Sequence, residues 1–322
     1  MKILIADDDA LSRRLLEKTL QRAGYEVTAA ENGLMAAQHL CTSDGARLAL
    51  LDWEMPELSG PEVCREVRRK KDQGYVYMIL LTSKGSKTDV VVGLGSGADD
   101  YLIKPFDTEE LKARLRTGQR ILHLEGRLVE AREDMRFKAT HDALTSLFNR
   151  GVIMDLLGRE VSRSRRDRVP TAILLGDVDH FKRINDTHGH PIGDEVLQEI
   201  ARRLLLSVRS YDYVGRYGGE EFLVILNNCP SAAAPGRAEE IRMAVSSVPV
   251  ATSIGPLSVT MSMGVHQTDN WGARSMEELL HEVDSALYEA KATGRNRVCF
   301  AKPASSSGRQ RAVPVEPAET LS

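Results

Sequence analysis

The stretch RYGGEEFLVIL, Arg216 to Leu226, decides how the second half of this chain is read. Two adjacent glycines between a short apolar segment and a strand-forming run predict a tight hairpin turn, because paired glycines supply the positive φ angles such turns need. Glu220 and Glu221 then fall just past the bend. Side chains alternate faces along a strand, so the two glutamates point apart, while Gly218 and Gly219 leave bare backbone that a phosphate can approach closely. A carboxylate beside exposed amides suits a metal-bound nucleotide. An ordinary glycine hairpin with solvated acids is the plainer reading, and the rest of the chain decides between them.

Composition narrows the classes. A chain of 322 residues, 42 % apolar and 28 % charged, is of soluble globular type and long enough for about two domains. A net charge of -3 offers no basic field for duplex nucleic acid, and no helix-turn-helix or zinc-finger spacing is present, so DNA is set aside as a partner. Apolar runs such as KILIA and TAILLG fall far short of the roughly 20 residues a membrane span requires, and a cytoplasmic protein is expected. Cys41, Cys64, Cys229 and Cys299 lack CxxC spacing, which argues against zinc and against a disulfide framework.

Outward from the hairpin, residues 142–302 carry an α/β pattern. TAILLGDVDHF predicts a buried strand ending at Asp177 and Asp179, GDEVLQEIARRLLLSV an amphipathic helix, and LSVTMSMGVH another strand. SMEELLHEVDSALYEAKATG is predicted to be a helix with a capping box at Ser275 and Glu278 and Gly294 as its stop, after which RVCF closes the sheet. Acids on two adjacent strands, Asp177 and Glu220, could share a metal, as in two-metal phosphoryl-transfer sites. His180, His188 and His190 lack the spacing of a zinc site and are left out.

These residues resemble the GGDEF family of diguanylate cyclases across the whole domain. DALTSLFNR, from Asp142, is similar to the family's opening signature with Ser146 in place of the usual glycine. DVDHFKRINDTHGHPIGDEVL matches at Asp177, Phe181, Lys182, Asn185, Asp186, Gly189, His190, Gly193 and Asp194, and YEAKATGRN supplies Lys291 and Arg295. The resemblance implies a palm-like nucleotidyl cyclase fold with catalysis at Glu220 and Glu221. It implies Mg2+ held by Asp177 and Glu220 beside Val178, guanine read by Asn185 and Asp194, and triphosphate held by Lys291 and Arg295. Plainer roles compete: Asp194 as a helix N-cap, and Lys291 as a cation at a helix C-terminus. Arg209 and Asp212 form an RxxD sequence shortly before the hairpin. That offset resembles the family's inhibitory site for cyclic di-GMP, and the alternative is a surface ion pair.

Residues 1–122 alternate strand and helix signals: KILIA, LSRRLLEKTLQRAG, YEVTAA, LALLD, YMILLT and DYLIKPF. Such alternation implies a doubly wound parallel sheet with its ligands beyond the carboxyl ends of the strands. Asp7 and Asp8, Asp52, Thr82 and Lys104 all fall at predicted strand ends. Three carboxylates about 4 Å apart repel by roughly 4 kcal/mol per pair at an effective dielectric near 20, so a divalent cation is expected among them. Taken singly, Asp7 and Asp8 could be helix N-caps and Lys104 a counter-ion. The set resembles a response-regulator receiver domain. That resemblance implies phosphorylation of Asp52, magnesium held by Asp8 and Asp52, and a switch pair at Thr82 and Tyr101. Glu54 adds a charge close to Asp52 at a position that varies in the family.

Between the two domains, residues 123–141 continue a long charged helix in which Ile121, Leu124, Leu128, Ala131 and Met135 recur at coiled-coil spacing. A homodimer is the expected consequence, with Gly118 and Gly126 as two flex points. Residues 303–322, rich in proline and serine, are expected to be disordered. The combined expectation is a phosphorylation-controlled diguanylate cyclase that condenses two GTP into cyclic di-GMP, inhibited by its product and served by a histidine kinase or phosphotransfer protein. A catalytically inert module that senses GTP or cyclic di-GMP is the alternative.

Overall fold

The computed structural model describes residues 1–42, 44–70, 74–83, 87–268 and 275–301, the side chains of 87–90 and 268 excepted. The tail expected from residue 303 onwards lies outside the described residues. The chain divides into two compact units, Met1–Asp134 and Met135–Ser322.

The first unit runs β1 (Lys2–Ala6), α1 (Ala10–Arg22), β2 (Glu26–Ala30), α2 (Gly33–Leu40), β3 (Leu48–Asp52), α3 (Gly60–Arg69), β4 (Tyr77–Thr82), α4 (Lys87–Gly95), β5 (Asp100–Ile103) and the start of α5 (Thr108–Thr140). Its sheet has the order β2-β1-β3-β4-β5, with every pairing parallel. The strands read as continuous apolar runs because both faces are covered. Leu4, Ala49, Leu51 and Met78 pack on one side, and Ile3, Leu48, Leu50 and Ile79 on the other. Strand order reverses between β1 and β3, the place where such sheets bind ligands. Asp9 rather than Asp7 or Asp8 caps α1, accepting from Ser12 N–H, so Asp7 and Asp8 are left for other work. Gly118 is not a flex point: a Cβ there would meet Tyr77 at 2.5 Å, so it is a close contact between α5 and the sheet. A Cβ at Gly126 would meet open space. The helix continues without a break for 33 residues, and Leu124, Leu128 and Met135 stay 52 %, 67 % and 64 % exposed.

The second unit contains α6 (Arg150–Asp167), β6 (Thr171–Val178), α7 (Phe181–His188), α8 (His190–Ser207), β7 (Tyr213–Gly218), β8 (Glu221–Asn227), α9 (Ala234–Ser246), β9 (Val250–Thr252), β10 (Gly255–Leu257), β11 (Met261–Thr268), α10 (Met276–Ala292) and β12 (Val298–Phe300). The sheet order is β12-β11-β6-β8-β7, antiparallel except where β12 joins β11. β6 lies at the centre and all its residues are buried. Leu174 and Val224 face the core shared with α8 and α9, while Ile173, Leu175, Leu223 and Ile225 pack with Leu279, Val283 and Leu287 of α10. α10 lies directly on β11: a Cβ at Gly264 would be 2.2 Å from the carbonyl oxygen of Val283. That approach carries the last turn of α10 to the end of β6. No helix among the described residues is long and apolar enough to cross a membrane.

Candidate functional site

In the first unit the strand ends bring together the residues expected from the sequence. Ligand oxygens of Asp7, Asp8 and Asp52 lie within 4.8 Å of one another, the only such group of three among the described residues. Lys104 Nζ bridges Asp7 and Asp52, at 2.9 Å from each. Asp7 is fully buried and also accepts from Asp9 N–H, while Asp52 accepts from Trp53 N–H. Burial pushes the Asp52 carboxyl above its usual pKa, with Lys104 pulling the other way. Burial works against the Lys104 charge too, but the two carboxylates outweigh it and hold its pKa high. Asp8, Asp52, Glu54, Thr82 and Lys104 line a pocket of 200 Å³. Thr82 is buried, and Tyr101 is half-buried in register with Leu80. Clustered carboxylates open to solvent at Asp8 are the donor set that a hard divalent cation takes.

In the second unit the hairpin differs in detail from expectation. Glu220 sits in the turn itself, since β7 ends at Gly218 and β8 begins at Glu221, and Gly219 alone of the two glycines has a positive φ, +27°. Glu221 pairs with Gly218 on one side and with Asp177 on the other, and Val178 N–H donates to the Glu220 carbonyl at 3.3 Å. Directly opposed residues share a sheet face. The register therefore sets Glu221 beside Asp177, with Glu220 one residue into the turn. Burial raises the pKa of Asp177, opposed by Lys291, whose Nζ lies 2.7 Å from Asp177 Oδ2. Burial and the Asp177 charge raise that of Glu221. Asp177, Glu220 and the Val178 carbonyl supply hard oxygen donors of the kind Mg2+ accepts, and Asp177 already holds a cation in the form of Lys291.

Beside the hairpin is a cleft of 510 Å³ lined by Phe181, Lys182, Asn185, Asp194, Gly219 and Glu220 among others. Asn185 Oδ1 is buried and has no hydrogen-bond partner among the described residues. A Cβ on Gly193 would come within 2.0 Å of that oxygen, so the glycine is what admits the Asn185 amide. Asp194 is not an N-cap: α8 begins at His190 behind Gly189, which puts Asp194 inside the first turns with its side chain exposed. Lys291 lies in the last turn of α10, and Arg295 follows at a φ of +60° with its side chain exposed.

Two residues with a structural part in the hairpin were not singled out from sequence. Arg216 Nε donates to the Gly219 carbonyl at 2.9 Å, and its Nη1 donates to Asp142 at 3.0 Å. Asp142 resists burial through hydrogen bonds from Thr145 and the charge of Arg216, which hold its pKa low. The opening motif is thereby tied to the turn. Arg216 begins the quoted hairpin and Asp142 begins DALTSLFNR, so the signal was two flanking charges of opposite sign. Of the RxxD pair, Asp212 is buried and accepts from the backbone N–H of Arg209 and of Asn227. The Arg209 guanidinium is turned outward onto Tyr211, donating to its hydroxyl at 2.7 Å.

Comparison with known proteins agrees with both units. The family model described as a response regulator receiver domain matches residues 3–116, and that described as the diguanylate cyclase GGDEF domain matches residues 139–297. The response regulator PleD of Caulobacter vibrioides is 33 % identical over 303 residues, covering 92 % of this chain and 65 % of PleD. This chain thus spans somewhat less than two thirds of that relative. The diguanylate cyclase DosC of Escherichia coli is 38 % identical over 167 residues, 52 % of this chain and 36 % of DosC. The crystal structure of the coiled coil and GGDEF domain of DgcB from Caulobacter crescentus, in complex with c-di-GMP, is 32 % identical with a TM-score of 0.52, covering 59 % of this chain and 99 % of that one. The chain therefore carries a response regulator receiver domain over residues 3–116 and a diguanylate cyclase GGDEF domain over residues 139–297.

Proposed function

We propose that the chain is a cytoplasmic diguanylate cyclase under receiver control, condensing two GTP molecules into cyclic di-GMP with release of two pyrophosphates. The observation that carries the reading is the cleft: a buried, unpartnered Asn185 oxygen and the exposed Asp194 carboxylate stand beside a bare-backbone hairpin bearing acids. Both are acceptors. Guanine presents donors at N1 and N2 on one edge, whereas adenine has no N2 amine, so an acceptor pair favours guanine and leaves a wrong base unsatisfied. Lys291 and Arg295 supply positive charge for the triphosphate, Lys291 by leaving Asp177.

Bound at Asp177 and Glu220, Mg2+ supplies Lewis-acid stabilisation of the oxygens at the reacting phosphorus. The protein's share is orientation: Gly218 and Gly219 admit the phosphates to the backbone, Phe181 and Lys182 line the cleft that takes the nucleotide, and Glu221 fixes the register of the acids. Each site holds one GTP and a cyclic product needs two, so two chains must face one another. The exposed Leu124, Leu128 and Met135 row supports pairing through residues 123–141. Phosphoryl transfer to Asp52 from a histidine kinase or phosphotransfer protein, with Mg2+ at Asp8 and Asp52, would bias that pairing through Thr82 and Tyr101.

The test is to incubate the purified protein with magnesium and GTP and resolve the nucleotides, with Glu220→Ala alongside. Cyclic di-GMP from the wild type and none from the folded variant supports the reading. Unchanged GTP in both, with GTP or cyclic di-GMP still bound, would make the chain an inert sensing module.

A further inference from the structure

The segment that carries Arg295 is held in an unusual backbone conformation by groups outside the cleft. Gly294, Arg295 and Asn296 have φ values of +124°, +60° and +46° in succession. Residues with a Cβ resist the left-handed region, and two in a row persist only where the surroundings overdetermine them. Here Asn296 N–H donates to Asp179 Oδ2 at 3.0 Å, and Arg242 donates to Asn296 Oδ1. Asp179 is buried, and the hydroxyls of Thr260 and Ser262 donate to it at 2.7 Å each. Arg242, on α9, is 8 % exposed, and its fork is set by Glu239, which accepts from Nε at 2.9 Å and from Nη2 at 2.6 Å. A planar, preset guanidinium fixes its partner's geometry in a way a lysine does not. The Arg295 guanidinium, by contrast, is exposed and makes no hydrogen bond or ion pair among the described residues.

We infer that Arg242 is a positioning residue for the nucleotide triphosphate: through Asn296 it locks the left-handed segment so that Arg295 is presented as a phosphate clamp before any ligand arrives. The inference rests on the reading of Arg295 as a triphosphate ligand. A clamp ordered in advance spares the ligand the entropy of ordering it, so the benefit appears in affinity for the phosphates and not in the base.

The experiment measures binding of 3′-deoxy-GTP, which lacks the attacking hydroxyl, and of GMP, which lacks the terminal phosphates, by calorimetry with magnesium present. Arg242→Met should weaken 3′-deoxy-GTP by about tenfold and leave GMP unchanged, a selectivity that a loosened fold does not produce. Asn296→Gly keeps the backbone conformation accessible but removes the bridge from its other end without touching α9, and the same selective loss is expected. In the double variant Arg242→Met/Arg295→Ala the loss should not exceed that of Arg295→Ala alone, because both act through one group. Wild-type affinity in Arg242→Met, or losses that add, overturns the inference while Arg295→Ala remains weak. Wild-type affinity in Arg295→Ala overturns it together with the reading beneath it.

Discussion

Lys291 Nζ lies 2.7 Å from Asp177 Oδ2, joining the last turn of α10 to the end of β6. A cation thus occupies the carboxylate on which the proposed metal depends. Without nucleotide, metal and ammonium compete; with nucleotide, the ammonium has phosphates to go to. Lys291→Met should therefore bind Mn2+ several-fold more tightly than the wild type in the absence of GTP, yet turn over GTP at least about tenfold more slowly for want of a charge-assisted phosphate contact. Calorimetry at pH 8 keeps Asp177 ionised, since burial raises its pKa and loss of Lys291 raises it further. Weaker Mn2+ binding by the variant would contradict the competition.

Glu221 is the companion case for stability. Its pKa is raised by burial and by the Asp177 charge, so the folded state takes up a proton more readily than the unfolded chain and ionisation works against folding. That penalty is present above the folded pKa and absent below the unfolded value of about 4.3. Glu221→Gln should melt at a higher temperature than the wild type at pH 7 in EDTA, and the advantage should vanish near pH 4. Equal melting at pH 7 would show that the site bears no such strain.

Much of this was legible in the sequence because it depends on local pattern. Apolar runs and strand-end acids announce the parallel sheet, and the SMEE capping box of α10 announces its own start. What was not legible depends on approach between distant segments. Gly118 reads as a weak point in a helix until Tyr77 is found against it, and the N-cap role that competes for Asp194 falls away only once α8 is seen to start at His190 behind Gly189. The glycine pair in the hairpin reads as the whole turn, whereas the bulge between Arg216 and Gly218 shifts the turn by one residue and brings Glu220 into it. The Lys291 to Asp177 pairing needs the register of α10 on β11, which no spacing in the sequence contains.

In the receiver unit, Lys104 neutralises a fully buried Asp7 as well as Asp52. Lys104→Met leaves Asp7 with a backbone donor but no counter-charge, and should destabilise this unit by about 2 kcal/mol in urea. Millimolar magnesium should recover part of the loss, because the metal takes over the neutralising role. Beryllofluoride, a phosphoryl mimic, should raise the cyclase rate and the dimer population of the wild type but not of Asp52→Asn. A wild-type rate and sedimentation unmoved by the mimic would count against receiver control.

Gly193 offers a test of guanine recognition at little cost to the fold. An added Cβ would press on the end of the Asn185 side chain, at 2.0 Å, and approach Phe181 only to 3.1 Å. Gly193→Ala should fold normally, with a melting temperature within a few degrees of the wild type, while displacing the Asn185 oxygen, a buried acceptor with no partner among the described residues. Affinity for 3′-deoxy-GTP should fall about tenfold or more, since a buried donor on the base then goes unmatched. Undiminished affinity would remove Asn185 from the guanine site.

The last prediction concerns Arg209 and separates it from its neighbour Asp212. Asp212 is buried and spends its carboxylate on two backbone N–H groups, which fastens the chain entering β7 to the end of β8. Arg209 faces solvent over the Tyr211 ring and donates to its hydroxyl, a surface guanidinium backed by an aromatic plate. Such a pair can stack on a guanine and fork onto its N7 and O6 or onto a phosphate, so feedback binding of cyclic di-GMP is expected to depend on the arginine directly and on the aspartate through the fold. Arg209→Ala should accordingly keep the initial rate and the melting temperature while product inhibition is relieved. Asp212→Ala should lower the melting temperature as well, because two buried donors lose their acceptor. Calorimetry with cyclic di-GMP decides the point: affinity in Arg209→Ala equal to that of the wild type places product binding elsewhere.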